Sequence, residues 1–296
     1  MRRVALAFAG QGAEAPRMGV ALAEAFAPAR ALLDAAGADV VDALARGRAL
    51  TRTADLQPAL VAVGLGASEA LRAAGVAPAV VLGHSLGELA AWSASGAIAP
   101  ADAVRLARAR GEAMEEAARA RPGGMLALSS SSLALVGAAS KRPRGGELSI
   151  AAHNAAGREW ALAGDAAALR AAEAQAGGRR LPVAGPWHAP SMAGAAGAFT
   201  RALSALEPAP PCAVLVANAT GEPAAPRDVA RLLVRQLTRP VRWARSMRTL
   251  ARLGVTDLVV CGPGKALRLF ARGAPFATHA CEAPDDVARL ARELAA

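Results

Sequence analysis

The chain has 296 residues, 54% of them hydrophobic and 20% charged, enough for one large or two smaller globular domains and incompatible with a disordered or fibrous protein. Its formal net charge of +10 is carried almost wholly by arginine, Lys141 and Lys265 being the only lysines. With the basic residues scattered through helix-like segments and no tyrosine to stack bases, nucleic-acid binding is not expected, while an acidic protein partner or a phosphorylated cofactor stays compatible.

Residues 3–9 form a short β-compatible run followed by Gly10-Gln11-Gly12. The run is too short for a signal peptide and has no cleavage pattern after it. Segments 15–36 and 56–74 carry apolar residues at helical spacing, the second with Pro58 in its first turn. A buried strand is expected at 80–82 and a helix at 86–95. None of the apolar runs, 58–65 and 76–82 included, approaches the roughly 18 residues of a membrane span. Strands separated by helices predict a parallel sheet covered on both faces. Strands at 125–129, 148–153, 159–163 and 179–184, with helices at 131–139 and 166–176, then read as β-α-β-β-α-β, a ferredoxin-like unit. Pro122-Gly123-Gly124 and Gly185-Pro186 bound it. The α/β pattern resumes with helices near 191–206 and 227–252 and a strand at 256–261. The expected organisation is therefore a large α/β-hydrolase-like unit, 1–122 and 186–296, with a small unit, 123–185, inserted. Cys212, Cys261 and Cys281 are odd in number and lack CxxC spacing, which predicts reduced thiols, a cytoplasmic location and no metal site.

Gly83-His84-Ser85-Leu86-Gly87 joins the strand at 80–82 to the helix after it. A serine between two glycines at such a junction fits a nucleophile elbow, in which side chains at either glycine would crowd the turn. The turn lifts the serine Oγ to the end of the sheet, and the Leu86 N–H at the head of the helix is free to stabilise an oxyanion. The alternative is a glycine-rich turn with a capping serine. A serine nucleophile needs a base, and the chain has four histidines. His84 adjoins Ser85 and should point away from it, His153 lies in a strand of the small unit, and His279 is near the C-terminus. His188 sits in a Pro-flanked loop where the chain re-enters the large unit and is the preferred candidate.

The segments FAGQGAE (8–14), GHSLGE (83–88), RARGEAM (108–114), GPWHAPSM (185–192), RQLTRPVRW (235–243) and GPGKAL (262–267) occur in this order. Together they resemble the malonyl-CoA:acyl carrier protein transacylases and the acyltransferase domains of polyketide synthases, over nearly the whole chain. The resemblance implies that Ser85 takes an acyl group as an ester and that His188 accepts its proton, then activates the phosphopantetheine thiol of an acyl carrier protein. It further implies an oxyanion hole from Gln11 and the Leu86 N–H, and Gln236 near the histidine in place of a carboxylate. Arg110 would hold the free carboxylate of a malonyl group, with Asn154 near the acyl pocket. The substrate would be malonyl-CoA, a coenzyme A thioester, with no bound cofactor. Departures from the pattern are Ala9 for proline, Glu14 for glutamine and Val260 for glutamate. Trp187 stands where polyketide acyltransferases often have Phe or Ser, and its bulk would disfavour α-branched acyl groups. Rival expectations are a hydrolase that edits acyl-carrier proteins, a transferase for an unusual acyl group, a malonate-decarboxylase-associated transferase, and a catalytically silent carrier-docking module.

Overall fold

A computed structural model of the chain describes residues 2–129, 137, 147–155 and 159–295. The first strand, β1 (Val4–Phe8), is buried at every position, as a strand covered on both faces must be. It lies at the middle of a six-stranded sheet in the order β10-β9-β1-β2-β7-β8. β2 (Val80–Gly83), β7 (Val214–Ala217), β9 (Asp257–Cys261) and β10 (Ala277–Cys281) run parallel with it, and the two-residue β8 (Glu222–Pro223) closes one edge antiparallel. Phe8 pairs with both Gly83 and Cys261, so the carboxyl ends of three adjacent strands stop at one level. Ligand sites in open α/β sheets form at that end.

The helices before β2 depart from the expected pattern. Residues 15–36 form two helices, α1 (Val20–Ala25) and α2 (Ala27–Ala35), broken at the extended Phe26. Pro28, without an N–H, cannot continue the first ladder and instead sits in the first turn of the second helix. A further helix, α3 (Ala38–Ala45), follows. The next, α4 (Thr53–Ala73), begins earlier than expected, which places Pro58 inside it. Its residues are buried on nearly all sides, and it packs against α2 and against α6 (Pro100–Ala120). A Cβ at Gly111 of α6 would lie 2.8 Å from the Thr53 carbonyl oxygen, so glycine here lets α4 and α6 approach closely. That contact brings Arg110 beside Gln57.

The second sheet holds β3 (Gly124–Ser129), β4 (Leu148–Ala155), β5 (Glu159–Gly164) and β6 (Arg179–Arg180) in the antiparallel order β4-β5-β3-β6. The helix Ala166–Ala176 is capped by Asp165, whose Oδ1 accepts from the Ala168 N–H at 2.8 Å, and buries Leu169 and Ala172 against Leu126, Leu128 and Leu162. This strand order is that of a ferredoxin-like unit; of the helix expected at 131–139 only residue 137 is among the described residues. β6 is shorter than the expected 179–184 strand, because Pro182 has no N–H to give the ladder. The expected 227–252 helix is two, Val229–Gln236 and Trp243–Arg252, separated around Pro240. The 191–206 segment is a 3₁₀ turn, Pro190–Ala195, that runs into the helix Ala196–Ser204. β7, β10 and the last helix, Pro284–Leu294, were not expected from the sequence.

The small sheet is tied through the main chain to the segment between Gln236 and Trp243. Val241 donates its N–H to the Ala151 carbonyl and accepts from the His153 N–H, both at 2.9 Å, forming a parallel bridge between β4 and the segment after Gln236. No described helix is long and apolar enough to cross a membrane.

Candidate active site

Ser85 follows β2 with φ 53, a left-handed conformation that costs a non-glycine residue about 1–2 kcal/mol. The flanking glycines explain how the turn closes. A Cβ at Gly83 would lie 1.9 Å from the carbonyl carbon of Gly87, and one at Gly87 would lie 2.1 Å from the Phe8 carbonyl oxygen. The strand end, the turn and the start of α5 (Gly87–Ala94) are thus packed backbone to backbone. Leu86 is the N-cap of α5, so its N–H is among those a helix leaves without an internal partner. The Gly10-Gln11 turn also packs against it, since a Cβ at Gly10 would lie 2.6 Å from the His84 carbonyl oxygen.

His188, also left-handed at φ 67, brings its Nε2 to 2.8 Å from Ser85 Oγ. Its Nδ1 lies 2.8 Å from the main-chain carbonyl oxygen of Gln236, and a carbonyl only accepts. Nδ1 therefore carries the proton, and Nε2 presents its lone pair to the Ser85 hydroxyl. Burial pushes the imidazole down to about 3, with the Arg110 charge adding to the shift and the Gln236 carbonyl opposing it. A base works in its unprotonated form, so a lowered value keeps His188 competent as the pH falls. Acylation of Ser85 by a small neutral ester should accordingly keep its rate down to about pH 5, below the ordinary histidine value of about 6.5. A stopped-flow pH profile checks this, and an acid limb centred near 6.5 would contradict it.

Arg110 reaches the same point from α6 and is 2% exposed. One terminal nitrogen donates to Gln57 Oε1 at 3.0 Å; the other donates to Gln236 Oε1 at 2.9 Å and to Ser85 Oγ at 3.2 Å. Its hydrogen-bond partners are thus neutral groups, and burial lowers the guanidinium to about 10, with Glu88 opposing. A buried cation without a carboxylate in direct contact, one N–H from the serine oxygen, has the chemistry to pair with an anionic group.

Of the remaining expected residues, Gln11 is linked to Arg110 through Gln57, whereas no side-chain hydrogen bond joins Trp187 to the site among the described residues. The Gln11 side chain is engaged with Thr53 Oγ1 at 3.4 Å and accepts from Gln57 Nε2 at 3.1 Å. Glu14, one of the departures, accepts from the Gly12 N–H at 2.7 Å and closes that turn. Asn154 Oδ1 is 2.8 Å from Nε2 of His84, whose ring tilts against Trp243 with centroids 5.5 Å apart; His84 thus points away from the serine, as expected. Trp187 is buried. A Cβ at Gly185 would lie 2.5 Å from its ring and 2.8 Å from Ala118 Cβ, so the indole packs near Ala118, eight residues along α6 from Arg110. Its Nε1 has no hydrogen-bond partner among the described residues. His153 stacks on Trp160 with centroids 3.7 Å apart, and His279 pairs with Asp257 at 2.9 Å; neither is bonded to Ser85.

Three further residues complete the site and were not singled out in the sequence: Gln57, Glu88 and Asn218. Asn218 Oδ1 accepts from the Ser85 N–H at 2.7 Å, and its Nδ2 donates to the Gly83 carbonyl, so it braces the elbow from both sides. Gln57 is a polar residue in an otherwise apolar run, the one signal available for it in the sequence. Among the described residues no group of three or more His, Cys, Asp or Glu is placed to hold a metal ion.

A parallel α/β sheet with a serine–histidine pair at a strand-to-helix turn is the architecture of enzymes that move acyl groups through a serine. Residues 6–258 match the acyl transferase domain family, and the chain belongs to that family. It is 40% identical over 207 residues to the malonyl CoA-acyl carrier protein transacylase of Mycolicibacterium smegmatis, covering 68% of this chain and 70% of that protein. The crystal structure of malonyl-CoA:acyl carrier protein transacylase from Xanthomonas oryzae superposes with a TM-score of 0.91 at 28% identity, covering both chains fully at 100%. A malonyl-transacylase in complex with its type II polyketide synthase acyl-carrier protein gives a TM-score of 0.87 at 28% identity, covering 98% of this chain and 99% of that one.

Proposed function

We propose that the protein transfers a malonyl group from malonyl-CoA to the phosphopantetheine thiol of an acyl carrier protein, in fatty acid or polyketide synthesis. The observation that carries this reading is the Arg110 guanidinium donating to Ser85 Oγ at 3.2 Å, beside the serine–histidine pair. In the first half-reaction Ser85 Oγ attacks the thioester carbonyl as His188 Nε2 takes its proton. The tetrahedral oxyanion is held by the Leu86 N–H and the main-chain N–H of Gln11, whose side chain is occupied elsewhere. Collapse breaks the carbon–sulfur bond, and His188 returns the proton to the departing CoA thiolate. In the second half-reaction His188 takes the proton of the carrier thiol, whose sulfur attacks the seryl ester; collapse breaks the carbon–oxygen bond and His188 returns the proton to Ser85 Oγ.

Arg110 receives the malonyl carboxylate in this reading, Gln236 orients His188 through its main-chain carbonyl, and Asn154 and Trp187 bound the acyl side. The catalytic unit is 1–122 with 186–296, and 123–185 forms the inserted small unit that carries Asn154 to the cleft. The protein acts in the cytoplasm and needs no bound cofactor.

Intact-protein mass after brief exposure to malonyl-, methylmalonyl- and acetyl-CoA tests the reading. Wild type should gain a malonyl adduct that a carrier protein discharges, and Ser85→Ala should gain none. Arg110→Ala should lose malonyl preference over acetyl by roughly 10- to 100-fold, the worth of a well-shielded charge-assisted contact. No adduct from any CoA, with rapid release of free acid from acyl-carrier protein, would instead identify an editing hydrolase.

A further inference from the structure

We infer that Glu88 is the positioning residue that aims Arg110, because its carboxylate fixes which end of the Gln236 side-chain amide faces the guanidinium. The inference rests on the malonyl-transfer reading above. Glu88 lies one turn after Ser85 on α5 and is 0% exposed. One carboxylate oxygen accepts from the Asn218 N–H at 3.2 Å, and the other accepts from Gln236 Nε2. Each of these partners also bonds a working part of the site. Asn218 holds the Ser85 N–H at 2.7 Å. Gln236 donates from Nε2 to the Ser85 carbonyl at 3.0 Å, accepts from Arg110 at Oε1 at 2.9 Å, and accepts from His188 at its main-chain oxygen at 2.8 Å.

A side-chain amide has one accepting end and one donating end. Both Glu88 oxygens accept from N–H donors, so Glu88 holds the NH₂ end of Gln236 towards itself and leaves the oxygen for Arg110. With the amide turned over, two donors would face each other inside a buried site, and the guanidinium would lose an acceptor. Burial pushes the Glu88 carboxyl up to about 7, while its bonds to Asn218 and Gln236 and the Arg110 charge pull the other way. Glu88 is also the carboxylate whose charge acts on Arg110, with the Gln236 amide between the two. That spacing leaves the guanidinium charged and oriented without occupying the face turned to the serine.

Glu88→Gln is nearly isosteric but offers one oxygen for two donors. In malonyl- and acetyl-CoA loading assays by intact mass, the variant should raise the malonyl KM and cut the malonyl-to-acetyl preference by roughly 10- to 100-fold, the range for a hydrogen bond to a charged group. In an Arg110→Ala background the same change should leave that preference where Arg110→Ala alone puts it. An unchanged preference in Glu88→Gln, or a further independent drop in the double variant, overturns the inference. If circular dichroism shows Glu88→Gln unfolded, Gln236→Met decides. It keeps the main-chain carbonyl under His188 and removes the amide, and should cut the preference likewise; equal losses for both acyl groups overturn the inference. A wild type that takes no malonyl from CoA removes the malonyl-transfer reading and this inference with it. A wild type that loads, with variants that keep its preference, removes the inference alone.

Discussion

His188→Ala should slow malonyl loading of Ser85 by roughly 10²- to 10⁴-fold, the usual worth of a positioned general base. The expectation follows from the tautomer. With Nδ1–H committed to the Gln236 carbonyl at 2.8 Å, the Nε2 lone pair has one use, the Ser85 hydroxyl at 2.8 Å. The nearest other imidazole, His84, is tied to Asn154 and cannot substitute. The left-handed backbone at His188 implies that the loop holds its shape against strain, so the loss should appear in the rate of the chemical step and not in the melting temperature. Rapid-quench mass spectrometry with a parallel thermal melt checks both. A loss under about 10-fold with folding intact would show that another group takes the proton.

Gly83→Ala should be the most damaging single methyl that the chain can receive near the site. Its Cβ would lie 1.9 Å from Gly87 carbon and 2.0 Å from Gly87 oxygen, atoms of the main chain that cannot rotate aside. Relief requires α5 to move off the end of β2, which would take Leu86 and the Ser85 N–H contact to Asn218 with it. A loss of about 4 kcal/mol or more, or failure to fold, is expected, in the range reserved for severe core defects. Gly194→Ala is the matched control: it lies in the 3₁₀ turn just after His188, and its nearest atom would be Ala117 Cβ at an ordinary 3.7 Å. That substitution should change stability by less than about 1 kcal/mol. Chemical denaturation of the pair measures the difference, and similar stabilities would mean that the elbow is not packed as described.

The parts of the fold legible in the sequence are those in which local pattern and tertiary environment agree. β1, β2 and β9 are short apolar runs because both faces are covered, and in the small sheet β3, β4, β5 and the helix Ala166–Ala176 lie where the local pattern puts them. Helix breaks at Phe26 and around Pro240 were missed because apolar spacing runs on across them while a proline N–H is lacking. β10 was missed because it is only partly buried, so its residues carry no apolar run. At the site, Ser85, His188 and Arg110 stand in recognisable motifs, and the structure brings His188 and Arg110 each within hydrogen-bonding distance of Ser85 Oγ. Gln236 was placed near the histidine, and its main-chain oxygen makes the contact, an atom every residue possesses and no sequence can flag. Asn218 and Glu88 escaped for a related reason. Their partners lie across the fold, with Ser85 and Asn218 separated by 133 positions, and an isolated asparagine carries no local mark of such a bond.

The bridge between Val241 and β4 has a bearing on how such a protein diversifies. Val241 is five residues beyond Gln236, whose carbonyl holds the histidine, and β4 carries Asn154, which bonds His84 beside the serine. The two segments are therefore gauged against each other by amide groups, which every amino acid except proline supplies alike. Side chains on either segment are free to be exchanged without resetting that spacing. A lineage built on this plan can retool its choice of cargo residue by residue while the spacing between its reacting atoms is inherited unchanged.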